Sequence, residues 1–357
     1  MSIFSEMYFT PDEFSRIAKV EKSFISALEN RGVLQTTKKR VGNVDRKMIT
    51  LEGMQNYFRN LRASDSVAAA TEMLMNGTGA VSAGPQIPIE AVAMATELAV
   101  KKPTLKKQMF YNVKGGTGKS TLTAQYVMRS AMMGYKILAI DLDGQGHLTV
   151  NLDVLDGHER PTIYDVLIND LPIEQAITEV APGLDLIPAN LQLCNIEIPL
   201  NSKPRREYRL GEAIEKIADQ YDLIVADTNP AASILNGSML VTADLVNVIC
   251  ATNPLSFHGM SLVMATIENM EREFRKKLNV KIIPNMYDAR EVISQEVLGE
   301  LRSQFSTWCA KSVVNRTADL NEATKRRTTV WNVSSKGTAA QDLSQMTEEL
   351  LFTQPQV

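Results

Sequence analysis

Cysteine is scarce in this 357-residue chain. Its three cysteines, Cys194, Cys250 and Cys309, lie far apart and form no CxxC pair. That spacing argues against a disulfide scaffold or a zinc site, and it fits a reducing cytoplasm. Long apolar runs are also missing, since none reaches the ~20 residues of a membrane span. The start, MSIFSEMYFTPDEF, has no basic residues followed by an apolar stretch, so we expect no export signal and a cytoplasmic protein.

A large excess of charge of one sign is absent from the chain as a whole, whose formal net charge is −3. The charge is nevertheless uneven. Residues 1–62 contain eleven Lys/Arg and seven Asp/Glu, a net +4, which leaves −7 for the remainder. A basic head on an acidic body suggests an anionic partner for the head. An ordinary solvated surface explains the same numbers, and charge alone does not choose between the two.

Capping signals predict two short helices near the amino terminus. Thr10 suits an N-cap, Pro11 the first helical position, and Glu13 completes a capping box. After a break near Val20, a second helix ends at Gly32. Its outward face would present Lys22, Ser23 and Ser26.

Two strand-like pieces follow, around Leu34 and Met48, joined by KKRVGNVDRK with its turn residues Gly42 and Asn43. A third helix, LEGMQNYFRNLR, closes the unit. A winged helix-turn-helix module has the order helix, turn, helix, basic wing and helix. We therefore predict such a module for residues 1–62. A small helical cap without a DNA role is the alternative.

The rest of the chain divides into a connecting segment and one α/β domain. Residues 63–104 look like a linker followed by an amphipathic docking or dimerisation helix, IEAVAMATELAVKKP. From residue 105 to 357, short apolar runs alternate with helical stretches, which is typical of a mostly parallel sheet flanked by helices. The predicted strands are KQMFYNV, KILAIDLD, LDLIPA, DLIVADT, DLVNVICA and VKIIPNMY.

The stretch YNVKGGTGKST, residues 111–121, predicts a phosphate-binding loop between a strand and a helix. Lys119 should reach the β- and γ-phosphates of a nucleotide, and the Ser120 hydroxyl should bind Mg²⁺. Val113 stands where the pattern GxxxxGK[ST] has its first glycine. The predicted nucleotide-binding residues of the loop are Lys114, Gly115, Gly116, Thr117, Gly118, Lys119, Ser120 and Thr121.

Three motifs together carry a family resemblance. KGGTGKST is similar to the deviant Walker A motif of the ParA/MinD group of P-loop ATPases. ILAIDLDGQGH resembles the second acidic motif of that group, and YDLIVADTNPA resembles its Walker B strand. IIPNMYDAREVISQEVLGELRSQF is similar to the stretch after the late strands, so the resemblance covers roughly residues 105–350. In architecture, the amino-terminal extension resembles the larger, plasmid-type ParA proteins.

The resemblance implies roles for particular residues. Lys114 would reach across a dimer interface to the partner's nucleotide, so that Lys114, Lys119 and Asp143 would be the catalytic residues, with Asp143 positioning or activating the attacking water. Asp141 and Asp227, at strand ends, would lie near the Mg²⁺, although each could be an ordinary strand-end cap. Asn285 matches a position that often contacts adenine, and it could equally serve a turn.

Some residues depart from the family pattern. Gly144 replaces the proline of DLDPQ, and Asn229 replaces the first proline of DTPP. These changes bear on base contact and hydrolysis rate. The three histidines are scattered without a Ser or Cys partner, and we interpret His147, near the second acidic motif, as structural.

The resemblance implies a DNA-partition ATPase that uses ATP/ADP and Mg²⁺. It would form an ATP-bound homodimer on non-specific DNA, respond to a ParB-type centromere-binding partner, associate with the nucleoid and repress its own operon through residues 1–62. The candidate DNA contacts are Lys22, Ser23, Ser26, Lys38, Lys39, Arg40, Arg46 and Lys47 in the amino-terminal unit, with Arg272, Arg275, Lys276, Lys277, Arg316, Lys325, Arg326 and Arg327 further on.

Two other functions remain open at this point. A transcriptional regulator with a nucleotide-operated switch would combine the same parts. A MinD-like membrane ATPase is disfavoured because the end of the chain, DLSQMTEELLFTQPQV, lacks the basic amphipathic helix of such proteins. We therefore expect no membrane partner.

Overall fold

The structure, a computed structural model, describes residues 7–63 and 101–355, except residues 21, 23, 24, 31, 42 and 43. Ser23, the turn residues Gly42 and Asn43, and almost all of the predicted linker and docking helix lie outside the described residues.

The amino-terminal unit contains the predicted helices. Its first helix has the predicted capping box: the Glu13 amide donates to Thr10 Oγ1 (3.3 Å), and the Thr10 amide donates to Glu13 Oε2 (2.7 Å). The third helix has the predicted bounds. The elements are β1 (Tyr8–Phe9), α1 (Pro11–Ala18), α2 (Ile25–Asn30), β2 (Thr37–Val41), β3 (Val44–Thr50) and α3 (Leu51–Arg62).

The strands of this unit differ from the prediction. They form a three-stranded antiparallel sheet in the order β1-β3-β2. The first strand does not surround Leu34, and most of the stretch predicted as a connection is itself a β-hairpin. The basic residues have weak strand propensity, and cross-strand pairing overrides it. Strand β1 has two residues and no local signal, because it exists through its pairing with β3.

The remaining described residues form one α/β body, and each predicted strand is present. Its strands are β4 (Lys107–Tyr111), β5 (Ile137–Leu142), β6 (Thr178–Ala181), β7 (Leu184–Ile187), β8 (Leu223–Thr228), β9 (Leu245–Ala251) and β10 (Asn279–Asn285). Its helices are α4 (Lys119–Met132), α5 (His147–Asn151), α6 (Ile163–Ile168), α7 (Glu197–Asn201), α8 (Arg206–Glu215), α9 (Ile234–Thr242), α10 (Pro254–Phe274), α11 (Val292–Gln304), α12 (Ala318–Lys325), α13 (Val330–Ser334) and α14 (Thr338–Leu351). Within the described part of the chain, no helix has the length and apolar character needed to cross a bilayer.

The seven-stranded sheet has the order β10-β9-β4-β8-β5-β7-β6. All neighbours are parallel except β6 and β7, so the unpredicted strand β6 is an antiparallel edge. Strand β4 lies between β8 and β9, and the loop after it opens at the carboxyl edge, where parallel sheets bind ligands. At the same edge Asp141 of β5 pairs in register with Asp227 of β8.

A hydrophobic core covers each face of the sheet. On one face α4 and the carboxy-terminal helices pack together with the amino-terminal unit. Phe14, Ile17, Tyr57 and Leu61 of that unit are buried in the same cluster as Met128 of α4. The amino-terminal unit therefore shares its core with the α/β body.

Polar contacts reinforce this packing. The buried Gln55 side chain donates to the carbonyls of Ala131 (3.1 Å) and Pro182 (2.6 Å). Arg129, which is 1% exposed, donates to the Ile17 carbonyl (3.0 Å). The carboxy-terminal half of α4 is thus tied to the amino-terminal unit, while its first residues belong to the glycine loop.

Candidate functional site

The loop between β4 and α4 has the shape of an anion cradle. Gly116 (φ 74°) and Gly118 (φ 91°) have left-handed backbone conformations, which glycine adopts without steric cost. A Cβ on Gly118 would lie 2.4 Å from Asn285 Nδ2, so a larger residue would also collide there. The loop leads into the amino terminus of the 14-residue helix α4, where free amides attract phosphate.

A cavity of about 380 Å³ opens above this loop. Its lining residues are Gly115, Gly116, Thr117, Gly118, Lys119, Ser120, Thr121, Asp143, Gln145, His147, Asn151, Pro230 and Thr324. A larger depression of about 650 Å³ lies beside α14 and is lined by residues that include Lys281, Glu349 and Phe352. We assign the site to the smaller cavity because it has the glycine loop and the helix amino terminus.

Lys119 lies inside this cavity and is 7% exposed. Its Nζ donates to the carbonyl of Lys114 at 3.3 Å, a contact within the loop itself. Burial lowers the pKa of Lys119, while the negative charges of Asp227 and Asp143 oppose that shift. A desolvated ammonium group beside helix amides is well suited to meet a phosphate.

Asp227 is fully buried at the end of β8. Its Oδ1 accepts a hydrogen bond from Thr123 Oγ1 (3.3 Å), whereas its Oδ2 is buried without a hydrogen-bond partner among the described residues. Burial first, and then the charge of Asp141, raise the pKa of Asp227 to about 8. An unpaired buried carboxylate oxygen is costly unless a cation or proton meets it.

Asp141 uses its oxygens differently. Its Oδ2 accepts from the amide (2.9 Å) and hydroxyl (2.7 Å) of Thr149, and its Oδ1 accepts from the Asp143 amide (3.1 Å). Burial raises the pKa of Asp141, and these hydrogen bonds act against that rise. The predicted metal-site carboxylate therefore anchors α5 and the acidic loop in this structure.

Asp143 lies on the cavity wall and is partly buried. Its Oδ1 accepts from the Gln145 amide (3.0 Å), which closes an Asx turn and fixes the carboxylate towards the cavity. The next residue must be small: a Cβ on Gly144 would lie 2.5 Å from Cys194 Sγ and 2.9 Å from the Cys194 amide nitrogen. The close approach of residue 194 accounts for glycine where the family has proline.

Lys114 lies outside the cavity lining. Its amide donates to Asn112 Oδ1 (2.9 Å), and the Asn112 side chain in turn donates to the Ile249 carbonyl (2.7 Å). The backbone of Lys114 is thus fixed to β9, and its side chain is half-buried. The two lysines of the loop have different surroundings.

Asn285 contacts the loop in this structure. It is 2% exposed, and its Nδ2 donates to the Thr117 carbonyl at 2.7 Å. This bond holds the loop against the end of β10. A contact of Asn285 with adenine remains a prediction.

The cavity includes residues that sequence reasoning missed. Gln145 belongs to the second acidic motif, and Asn151 belongs to the helix that follows it. The helical spacing between His147 and Asn151 was the sequence signal that could have placed Asn151 on the same side as His147. Pro230 follows the Walker B strand, and Thr324 comes from the distant helix α12, so that only the fold brings it there. His147, interpreted as structural, is exposed and lines the cavity.

The basic hairpin of the amino-terminal unit carries exposed cations in opposed positions. In the β2–β3 register Lys38 faces Lys47, and Lys39 faces Arg46, while Arg40 faces Asp45. Lys39 Nζ lies 3.6 Å from the centroid of the Tyr8 ring. Lys47 also forms an ion pair with Glu29. Like charges directly opposite one another destabilise a hairpin, so this arrangement would be relieved by a bound anion.

The other predicted DNA contacts have mixed surroundings. On α2 and before it, Ser26 is exposed, and Lys22 is exposed and pairs with Asp12 (2.8 Å). Lys276 is a structural cation, since its Nζ donates to the carbonyls of Val241 and Ala243, each at 2.6 Å. Lys277 pairs with Glu271 (3.1 Å).

At the end of α12, a short basic segment, residues 325–327, follows a residue of the cavity lining. Arg316 and Lys325 are exposed, and Lys325 directly follows Thr324 of the cavity wall. Arg326 pairs with Glu322 (2.6 Å), and Arg327 pairs with Asp153 (3.2 Å). The structure therefore places this basic segment at the rim of the predicted nucleotide site.

A parallel α/β sheet with a glycine loop before a helix, and two carboxylates at the neighbouring strand ends, defines a P-loop nucleotide-binding fold. Comparison with known proteins agrees: a protein family described as an AAA domain matches residues 105–280.

Curated relatives identify the family. The cell division protein PomZ of Myxococcus xanthus is 30% identical over 248 residues, covering 69% of this chain and 78% of that protein. The chromosome partitioning protein ParA of Caulobacter vibrioides is 32% identical over 216 residues, covering 59% of this chain and 81% of that protein. The sporulation initiation inhibitor protein Soj of Bacillus subtilis is 29% identical over 214 residues, covering 59% of this chain and 85% of that protein. The chain belongs to the ParA/Soj/PomZ family of P-loop partition ATPases.

Solved structures agree on the fold. Cobyrinic acid a,c-diamide synthase from Mycobacterium smegmatis, with bound ADP and magnesium, is 26% identical with a TM-score of 0.54, and the match covers 63% of this chain and 91% of that chain. A putative plasmid partition protein from Borrelia burgdorferi, bound to AMPPNP, is 22% identical with a TM-score of 0.53, and the match covers 65% of this chain and 98% of that chain. The second likeness supports the fold alone.

Proposed function

We propose that this protein is a DNA-segregation ATPase that binds and hydrolyses ATP with Mg²⁺ in the cavity above the glycine loop. One observation carries the nucleotide assignment: the buried Lys119 ammonium lines the cavity, and Asp227, whose Oδ2 is unpaired, contacts the first turns of α4 through Thr123. A site with a cation for phosphate and a free carboxylate oxygen for a metal fits Mg·ATP. The synthase that resembles this chain was solved with ADP and magnesium.

The residues present fit Mg²⁺ in a particular way. No cluster of three or more His, Cys, Asp or Glu suited to a metal occurs among the described residues. Mg²⁺ commonly keeps several waters and uses one or two protein oxygens plus phosphates, so a dense cluster is not required. Ser120 Oγ and Asp227 would hold it, and Asp141 would position Thr149 and the acidic loop. When bound, the ion offsets phosphate charge as it develops during transfer.

The protein's own side chains supply the remaining steps. Lys119 holds the β- and γ-phosphates, and the fixed carboxylate of Asp143 orients the attacking water. Lys114, outside the cavity of its own chain, reaches the nucleotide of a second copy. A cation supplied across a water-poor interface has a stronger effect than in water, so that ATP promotes dimerisation and hydrolysis reverses it.

Two surfaces serve DNA in this proposal. Residues of α12 and its surroundings, with Arg316, Lys325 and Arg326, contact phosphates without sequence preference in the ATP-bound dimer. The amino-terminal unit acts as a winged helix-turn-helix whose hairpin and α2 bind a specific operator, which allows repression of its own operon. The opposed cations of the hairpin support this role. A ParB-type centromere-binding protein stimulates hydrolysis, and the protein is cytoplasmic and associated with the nucleoid.

The test of this function is a direct titration with ATP and Mg²⁺. Lys119→Ala should abolish tight binding because the phosphates lose their main cation. Lys102→Ala, an exposed lysine before β4, is the matched control and should bind like the wild type. Unchanged ATP affinity of the Lys119 variant would refute the site. Turnover of the wild type should rise with DNA and the partner present.

One structural observation favours a second candidate, a nucleotide-switched transcriptional regulator. Helix α4 begins at the glycine loop and ends against Gln55 and Ile17 of the amino-terminal unit. A change at the nucleotide could therefore reach the DNA-binding unit through one rigid helix. Tight operator binding that depends on nucleotide, with slow hydrolysis unaffected by a partner, would favour this alternative.

A further inference from the structure

The loop after β8, residues 229–233, contributes one residue to the wall of the nucleotide cavity. Pro230 lines the cavity, and the loop begins two residues after Asp227, whose Oδ2 is unpaired. Ala231 and Ala232 are exposed, so neither anchors the loop by packing. The position of this wall consequently depends on the polar groups that hold it.

A single buried amide makes most of these contacts. Asn236, near the start of α9, is 1% exposed. Its Nδ2 donates to the Ala231 carbonyl (2.7 Å), to Asn229 Oδ1 (2.9 Å) and to the Asn229 carbonyl (3.1 Å). Asn229 Oδ1 also accepts from the Ala231 amide (3.0 Å), which makes an Asx turn. The two asparagines together close the loop on itself.

The helix that carries Asn236 is anchored independently. Glu197 of α7 accepts from the amides of Ile234 (2.7 Å) and Leu235 (3.4 Å). Ser233 caps the same helix end by accepting from the Asn236 amide (3.0 Å). Asn236 is therefore held on a fixed base from which its side chain can position the loop.

We infer that Asn236, acting through Asn229, is a positioning residue for nucleotide hydrolysis, because it fixes the loop that carries Pro230 and follows Asp227. This inference rests on the proposed ATPase function. A proline at position 229 would make the loop rigid through its covalent ring. Here the hydrogen bonds of the two asparagines provide that rigidity instead. Thr228 ends an extended strand, which is the conformation that a residue before proline prefers.

The experiment uses the full-length chain and four variants. Asn236→Leu removes the donor at similar volume. Asn229→Ala removes the acceptor at a half-buried position where misfolding is not expected. Asn229→Pro is then combined with Asn236→Leu as the rescue. Ser238→Ala is the control, since this buried hydroxyl on the same helix has no hydrogen-bond partner among the described residues.

Two measurements are made on each variant. Amide hydrogen exchange of residues 229–236 without nucleotide should become about tenfold faster in Asn236→Leu and Asn229→Ala, because about one net hydrogen bond of loop stability is lost. In steady-state ATP hydrolysis, kcat should fall about tenfold while KM changes less than about threefold, since misplacement affects the reacting geometry and the glycine loop is intact. The proline rescue should restore both within about threefold, and Ser238→Ala should match the wild type.

Unchanged exchange in both asparagine variants would overturn the inference, and so would faster exchange with unchanged kcat, or failure of the proline to rescue. These outcomes differ from failure of the proposed function. That failure would be seen in the wild type as no ATP turnover, whereas exchange in the loop does not depend on hydrolysis.

Discussion

At the residue scale, the two lysines of the glycine loop predict opposite failures. Lys119 lies in the cavity, while Lys114 is outside its lining and has its backbone tied to Asn112. We expect Lys114→Ala to bind ATP nearly as well as the wild type but to form no ATP-dependent dimer. Sedimentation with a slowly hydrolysed ATP analogue measures this, with Lys102→Ala as control. A normal nucleotide-dependent dimer with normal turnover would contradict the role of Lys114 across the interface.

Asp227 predicts an unusual dependence of stability on pH. Its pKa is raised by burial to about 8 in the folded chain, against an ordinary carboxyl pKa near 3.8. At a pH below the ordinary pKa, the carboxyl is protonated in both the folded and the unfolded chain, so its burial carries no ionisation penalty. As the pH rises towards 8, only the unfolded chain releases the proton, so the penalty grows, and it is complete above the folded pKa.

Asp227→Asn removes this penalty and should therefore raise the unfolding midpoint of the nucleotide-free protein, by about 2 °C or more at pH 8.5 and by less at pH 5.5. Thermal unfolding at the two pH values is the measurement. Asp219→Asn, at an exposed position outside the cavity, serves as control. A gain that is equal at both pH values would show that the buried carboxylate is not the cause. The same variant should lose Mg²⁺-dependent hydrolysis.

At the scale of elements, the β2–β3 hairpin combines a stability cost with a proposed function. Lys38 faces Lys47 directly, and like charges in such positions repel. Lys38→Gln should leave the free energy of unfolding unchanged or slightly higher, while operator affinity falls and the slope of log K against log salt decreases by about one unit. Binding titrations over a salt series, together with denaturant unfolding, measure both effects. Lys216→Gln, an exposed lysine after α8, should change neither.

Loss of stability together with unchanged DNA affinity in the Lys38 variant would assign the hairpin a purely structural role. The substitution removes a repulsion within the hairpin and the proposed contact with DNA at the same time. The stability and DNA-affinity measurements together therefore distinguish a winged helix-turn-helix from a helical cap without a DNA role.

At the scale of the whole molecule, the amino-terminal unit is packed as part of the body. Phe14, Ile17, Tyr57 and Leu61 are buried in one cluster with Met128. Burying each such side chain contributes ~1.5–3 kcal/mol. Deleting residues 1–62 should therefore lower the unfolding midpoint strongly and expose an apolar face of α4, even though the glycine loop is untouched.

Denaturant unfolding and sedimentation of the truncated chain check this expectation, with the full-length Lys38→Gln protein as the comparison, since its free energy of unfolding should be unchanged or slightly higher. A truncated chain that keeps the wild-type midpoint and ATP affinity would show that residues 1–62 are a separable domain. Operator studies are accordingly better made with hairpin substitutions than with truncation.

Much of the fold could be predicted from local patterns. The apolar runs predicted six strands of the main sheet, and the capping residues Thr10 and Glu13 predicted the start of α1. Strands β1 and β6 had no such signal, because both are short and exist through their pairing partners. The basic hairpin was misplaced for a related reason, since its cross-strand pairing outweighs the weak strand propensity of lysine and arginine.

The candidate site divides in the same way. The glycine loop, Lys119 and the strand-end carboxylates follow from the sequence by itself, because a phosphate cradle is built from consecutive residues and parallel strands end at one edge. The tertiary structure alone decided three other features of the site. These are the distinct environments of Asp141 and Asp227, the presence of Thr324 on the cavity wall and the contact of Asn285 with Thr117. These depend on which oxygen meets a donor and which helix packs nearby, and such choices are made between segments far apart in the chain.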